Sequence, residues 1–248
     1  MKNSFLSLIT IFLLLNFATV QAQQSHSYWI HGVAGLSSNW IINQNTYGNP
    51  EMDYSTTFGL SAEGGLNYFL TDRLGLEGSL MMINLGQNYA GLQAGGNAER
   101  KIKLTYFDVP ISFMINIPYT HFPTWLSFGP DFMVLLNAHQ EYKRVGGSLL
   151  PFPDRMATGN INDRYNQTDV AVHFALNKMF PVNNSSQVMI LLSVNSAFGL
   201  TDINSKEWQI PNSQGDYGSA HNFYFGIKAG VMYKINKYIN TIWNNEHR

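Results

Sequence analysis

The sequence predicts an all-β fold: an antiparallel, up-and-down transmembrane β-barrel of about eight strands, with short periplasmic turns and long external loops. Three observations lead there. Successive segments alternate apolar with small or polar residues, the period of two that a pleated strand imposes. The connections between these segments alternate long and short along the chain. An export signal heads the sequence.

The export signal is Lys2 followed by the apolar run Phe5–Val20, with Val20 and Ala22 as small residues at the −3 and −1 positions of a cleavage site. Residues 1–22 therefore read as a signal peptide, 23–236 as the barrel and 237–248 as a C-terminal tail, with both ends of the mature chain in the periplasm. With no cysteine, the chain can form no lipoprotein anchor, disulfide or thiolate metal site. Beyond the signal, no apolar run approaches the ~20 residues that a spanning helix needs. Lys plus Arg, at 15, nearly balances Asp plus Glu, at 16, so no nucleic-acid footprint exists. Aromatics make up 14% and charged residues 12% of the chain. Such a balance suits strands with one lipid face and one internal face.

The first strand is Tyr28–Ile42, with Tyr28, Ile30, Ala34 and Leu36 on one face and His31 on the other. Asn43–Ser55 is loop. Thr57–Leu70 follows, with Phe58, Leu60, Ala62, Leu66 and Tyr68 outward, and Thr71–Arg73 is a tight turn. Leu74–Asn88 alternates less cleanly, and the glycine-containing stretch Tyr89–Lys101 reads as loop. Leu104–Ile117 carries the clearest pattern. Phe107, Val109, Ile111, Phe113, Ile115 and Ile117 form one face, and Leu104, Tyr106, Asp108, Pro110, Ser112, Met114 and Asn116 the other. Pro118–Pro123 is a short turn.

Thr124–Tyr142 sets Leu126, Phe128, Phe132, Val134 and Leu136 against Ser127, Gly129, Asp131, Met133 and Asn137. Val145–Asp163 is a long loop. Tyr165–Phe180 sets Val170, Val172, Phe174 and Leu176 against Asp169, Ala171, His173 and Asn177. Pro181–Ser186 is a short turn. Gln187–Leu200 puts Val188, Ile190, Leu192, Val194 and Phe198 on one face. Thr201–Ala220 is a long loop. Asn222–Ile235 closes the set, with Phe223, Phe225, Ile227, Val231 and Tyr233 outward and Tyr224, Gly226, Lys228 and Gly230 inward. Strands of about 10 residues tilted ~40° span the ~25 Å apolar band of an outer membrane. Tyr28, Trp29, Trp40, Tyr68, Phe69, Tyr89, Tyr106, Trp125, Tyr142, Phe180 and Tyr233 lie near strand ends, where interfacial girdles would use them.

Several short motifs then resemble a known family. They are Glu63-Gly64-Gly65-Leu66-Asn67-Tyr68 with Leu74-Gly75-Leu76-Glu77, Tyr106-Phe107-Asp108-Val109-Pro110-Ile111, Phe128-Gly129-Pro130, Phe198-Gly199-Leu200-Thr201-Asp202-Ile203, and Asn222–Tyr233. Their order and spacing resemble the small outer-membrane β-barrels of Bacteroidetes, the outer membrane protein beta-barrel domain family that includes PorT-like proteins. The resemblance implies a barrel in the outer membrane, and an accessory role in protein secretion as one option. Many such chains stop at an aromatic closing residue, whereas this one runs on from Lys234 to Arg248.

The chemistry-bearing residues gather on the inward faces. Glu63, Glu77, Asp108, Asp131 and Asp169 face Lys228, His31 and His173, and Lys228 is the only inward Lys or Arg among the strand cores as read. A narrow barrel is filled by side chains, and buried charges must pair, so Glu63, Glu77, Asp108, Asp131, Asp169, His173 and Lys228 read as a structural polar network. His173 with Asp169 and Ser193 gives no firm triad, and His121, His139 and His247 lack metal-ligand spacing. The sequence thus calls for no catalytic, cofactor or metal site. Pro110 and Pro130 lie mid-strand and remove ladder donors, so a bulge or gap is expected there. Leu149, Leu150, Phe152 and Met156 in one external loop, and Trp208, Ile210 and Tyr217 in another, offer a surface for protein partners beside outer-membrane lipid. The alternatives are a small passive pore and a soluble, secreted lipocalin-like binding barrel, whose apolar set would face inward.

Overall fold

A computed structural model describes residues 26–43, 52–93, 95–118, 120–146, 157–182, 187–211 and 215–235. The signal peptide, the tail 237–248 and the residues Leu149, Leu150, Phe152 and Met156 lie outside the described residues. Ten strands appear: β1 Ser27–Ile42, β2 Asp53–Ser55, β3 Phe58–Phe69, β4 Leu74–Gln93, β5 Gly96–Asn116, β6 Thr124–Val145, β7 Gly159–Asn160, β8 Thr168–Pro181, β9 Val188–Gly199 and β10 His221–Lys234. Eight of them pair antiparallel in the cyclic order β1-β3-β4-β5-β6-β8-β9-β10, and β10 closes back on β1 from Trp29↔Lys234 to Ile42↔His221. The two short strands extend the wall at one end, β2 along β4 and β7 along β6. Closure leaves no open edge around the ring, which is what a sheet in lipid requires.

The alternation read from the sequence sets the two faces. Phe58, Leu60, Leu80, Ile111, Phe113, Phe132, Phe174 and Ile227 point outward and are exposed. Their strand neighbours Tyr106, Asp108, Ser112 and Met114 point inward and are buried. This outward apolar belt excludes the soluble lipocalin-like alternative, in which the same side chains would form the core. Aromatic pairs border the belt at both ends: Tyr28 stacks on Tyr68 at 4.5 Å between ring centroids, and Trp40 meets Phe223 at 5.5 Å. Other strand-end aromatics depart from the girdle expectation. Trp29, Phe69, Tyr89, Tyr106 and Trp125 are buried inside the barrel, because their position parity, not their height, decides the face.

Three further differences have local causes. Tyr89–Lys101 is not loop but the tip of the β4–β5 hairpin, paired down to Gln93↔Gly96, and Asp53–Ser55 is a strand on its flank. These stretches rise above the apolar belt, so they carry the polar and glycine residues that signal loops. On β6 the register shifts where Thr105 faces Asn137 and Tyr106 faces Leu135. The extra residue, Leu136, reverses the alternation beyond it, so Leu135 keeps the inward parity of Asp131 and Met133 while Asn137 turns out and Ala138 turns in. Around Pro110 and Pro130 the ladders lapse, between Gly78↔Ile111 and Met81↔Asp108 and between Pro110↔Asp131 and Phe113↔Phe128, with no change of register.

Candidate functional site: a polar layer inside the barrel

Following β5 inward-facing residues from the turn end gives Met114, then Ser112, Pro110 and Asp108, then Tyr106, Leu104 and Ile102. β6 repeats the order with Trp125, then Ser127, Gly129 and Asp131, then Met133 and Leu135. The lumen is therefore layered. Trp29, Phe69, Met114, Trp125, Met179 and Met189 pack as an apolar plug at the turn end, with the Phe69 and Trp125 rings 4.6 Å apart. A larger apolar cluster that includes Met81, Ile83, Leu104, Tyr106, Met133 and Tyr224 fills the loop end. Between them lies a polar layer around a cavity of about 40 Å³, room for a few waters.

Lys228 Nζ donates to Glu63 Oε2 at 2.5 Å and approaches Met81 Sδ at 3.3 Å. Lys228 and Glu63 stand on β10 and β3, with β1 between them, and the lysine stem crosses at Gly35. A Cβ there would meet Lys228 Cγ at 2.8 Å and Ser61 Oγ at 2.6 Å. Ser79 Oγ donates to Glu63 Oε1 at 2.7 Å. The Asn67 amide donates to Glu77 Oε2 at 2.5 Å, which leaves its carbonyl oxygen 2.7 Å from His31 Nδ1. His31 Nε2 then lies 3.5 Å from Glu63 Oε1. Gly65 makes room for the ring, since a Cβ there would sit 2.6 Å from His31 Cε1.

On the opposite wall His173 bridges Asp131, through Nδ1, and Ser112, whose Oγ is 2.8 Å from Nε2. This is a serine–histidine–aspartate relay, and it shares only His173 with the set of His173, Asp169 and Ser193, in which the sequence shows no firm triad. Asp169 sits higher, accepting from Thr201 Oγ1 at 2.5 Å and Asn222 Nδ2 at 2.9 Å, apart from the central layer. Asp108 and Asp131 both face inward on β5 and β6 as diagonal neighbours, Asp131 opposite Pro110 and Asp108 opposite Met133. Neither Asp108 oxygen has a hydrogen-bond partner, nor does Asp131 Oδ2.

One inward side chain escaped the sequence reading. Arg100 also faces inward and is fully buried, its Nε donating to Gln140 Oε1 at 2.9 Å and its guanidinium over the Tyr89 ring at 5.6 Å. It belongs to the stretch read as loop, so Lys228 is not the only inward cation. Lys178 keeps outward parity yet is almost buried, its ammonium 5.9 and 6.0 Å from the Phe122 and Phe180 ring centroids.

The loop end is capped. Asp202 accepts from the backbone N–H of Asn204 at 3.0 Å and of Ala220 at 3.1 Å, from Tyr217 OH at 2.7 Å and from Gln209 Nε2 at 2.9 Å. Arg164 lies over the Trp208 ring at 4.5 Å, joining two connections across the mouth. Partial burial in this cap, with the Asp202 carboxylate beside it, holds the half-buried Tyr217 above the ordinary phenol pKa, against the opposing hydrogen bond from Asn204.

A closed ring of eight antiparallel strands with an apolar exterior is now matched by the sequence comparison: residues 21–244 fit the model of the outer membrane protein beta-barrel domain. The chain belongs to that family. As a member it is an integral protein of the Gram-negative outer membrane, with lipid as its surroundings. Among curated proteins none matches the sequence. Several solved outer-membrane proteins are similar at low identity. Neisserial surface protein A is 12% identical with a TM-score of 0.43, the match covering 84% of this chain and 97% of that one. The attachment invasion locus protein Ail of Yersinia pestis is 10% identical at 0.39, covering 84% and 99%. OprG of Pseudomonas aeruginosa is 11% identical at 0.37, covering 86% and 99%.

Proposed function

We propose that this barrel is closed and non-enzymatic, and that it acts through its external end as a structural or interaction protein of the outer membrane. The single observation behind this reading is the layered lumen: among the described residues the central polar layer lies between two apolar clusters, and the polar side chains set within the loop-end cluster, such as Arg100 and Gln140, are themselves fully buried, so the interior is filled rather than an open channel. Ions crossing either plug would lose their hydration without replacement, a prohibitive cost in an apolar medium. The Ser112–His173–Asp131 relay faces a cavity of about 40 Å³ between the same clusters, room for water but too small for an acyl substrate. It serves as a hydrogen-bonded brace between β5, β6 and β8.

Protein partners would then meet the cap built on Asp202, Tyr217, Arg164 and Trp208. A PorT-like accessory role in protein secretion is the narrower form of this reading, supported by the motif order given above. Purified protein in planar bilayers tests the broad form: no steady current is expected, and sustained conductance would establish the passive pore instead. Cross-linking of outer membranes, followed by comparison of exported proteins with and without this chain, tests the narrower one. Unchanged export and no cross-linked secretion component would remove it.

A further inference from the structure

Three acceptors converge at one point on the lumen wall. One ring nitrogen of His31 and one carboxylate oxygen from each of Glu63 and Glu77 lie within 4.8 Å of one another. Asn67 sets the polarity of this cluster. Its NH₂ is committed to the Glu77 carboxylate, which can only accept, so its oxygen faces His31 and takes the proton of Nδ1. The remaining nitrogen, Nε2, points toward Glu63 Oε1, 3.5 Å away. An imidazole nitrogen and two carboxylates converge in a buried place only when positive charge, a proton or a metal ion, lies between them.

A second observation points the same way. Asp131 lines the same cavity, is 1% exposed, and its Oδ2 has no hydrogen-bond partner. Asn195 Oδ1, on that cavity wall, has none either. Three donors near the cluster are engaged, Lys228 and Ser79 with Glu63 and Asn177 with Ser127. The unmet side-chain groups on this wall are thus acceptors, and Glu63, Glu77, Asp108 and Asp131 share the layer with Lys228.

We propose that His31, Glu63 and Glu77 form a binding site for one divalent transition-metal cation of the zinc class, tying β1, β3 and β4 together from inside the barrel. Zinc bonds imidazole nitrogen and carboxylate oxygen at about 2.0–2.2 Å, which separates neighbouring ligands by about 3.3 Å in a tetrahedron. The 3.5 Å between His31 Nε2 and Glu63 Oε1 is such an edge. Asn67 fixes the tautomer of His31, as a hydrogen bond to the second nitrogen does in zinc sites. Lys228 stays on the other oxygen of Glu63, so that carboxylate bridges ammonium and metal. The fourth position opens on the cavity, where a bound water reaches toward the unmet oxygens of Asp131 and Asn195. With apolar plugs on both sides, the ion enters as the barrel folds and is then retained.

The test uses the mature protein, purified from membranes and also refolded from urea into detergent with Zn²⁺ or with EDTA. Metal is measured by mass spectrometry after gel filtration. The expected result is about one zinc per chain, kept through EDTA treatment of the folded protein, and a higher melting temperature after refolding in Zn²⁺. Glu77→Gln should lower retained zinc at least about tenfold, while Glu141→Gln on the outer wall changes nothing. Refolding with Co²⁺ should give a visible d–d band that His31→Gln abolishes. If Glu77→Gln does not fold, zinc content and the cobalt band of the unaltered chain decide. No retained metal and identical melting with Zn²⁺ and EDTA would overturn the proposal, and the positive charge at His31 would then be a proton. Zinc that survives Glu77→Gln undiminished would overturn it equally.

Discussion

Replacing Lys228 by methionine isolates the central ion pair. Nζ lies 2.5 Å from Glu63 Oε2, and the two side chains are 13% and 6% exposed. Methionine keeps the stem that crosses Gly35 and removes only the charge. Glu63 is then a buried carboxylate facing His31 and Ser79. Breaking a fully buried pair costs about 3–5 kcal/mol. Water in the adjoining cavity moves this toward the lower bound, ~3 kcal/mol, which is still over about 100-fold in the folding equilibrium. Lys178→Met is the control. It forfeits two ring contacts near 6 Å, worth about 1 kcal/mol. Equilibrium urea unfolding in detergent micelles, followed by tryptophan fluorescence with EDTA present throughout, gives both values. The double variant Lys228→Met/Glu63→Gln should recover most of the loss, because the orphaned charge is gone. If Lys228→Met were as silent as Lys178→Met, or the double variant were no better than the single, the pair would not be what balances this layer.

Two other expectations concern the surfaces. Phe113→Arg puts a charge in the middle of the outward belt, where Phe113 is 57% exposed, and should cost about 2–4 kcal/mol when the protein folds into liposomes. Leu92→Arg, also outward but on the hairpin tip above the belt, should cost under about 1 kcal/mol, and equal penalties would misplace the membrane boundary. In the cap, Tyr217→Phe removes the hydroxyl shared by Asp202 and Asn204, and should cost about 1 kcal/mol locally, seen as faster nicking of Thr201–Ala220 by an alkaline protease. Because the folded phenol titrates above its unfolded value, its contribution is intact below about pH 10 and lost only as pH rises through the raised value. Nicking of the unaltered cap that already rises by about pH 9 would contradict this.

Much of the fold was legible because a strand's pleat writes itself into sequence with a period of two, and lipid demands that one of the two sets be apolar. The outward set from Phe107 to Ile115 and the short turns at Thr71–Arg73 and Pro118–Pro123 follow from that rule alone. The rule fails where the wall leaves the lipid. Tyr89–Lys101 has no apolar face to keep, so its strands look like loop, and Arg100 was lost with them. It also fails at a single inserted residue: nothing in the local composition marks Leu136 as the bulge that turns Asn137 outward. The inward residue types were readable as a group, but not their partners. Which carboxylate meets Lys228 depends on the stagger of three strands and on the missing side chain at Gly35, and the meeting of Ser112 with His173 and Asp131 depends on the registers of β5, β6 and β8. Periodicity acts within one strand and fixes which way a side chain points. Partnership across a lumen depends on how far each strand has slid against the next, and only closure of the ring sets that.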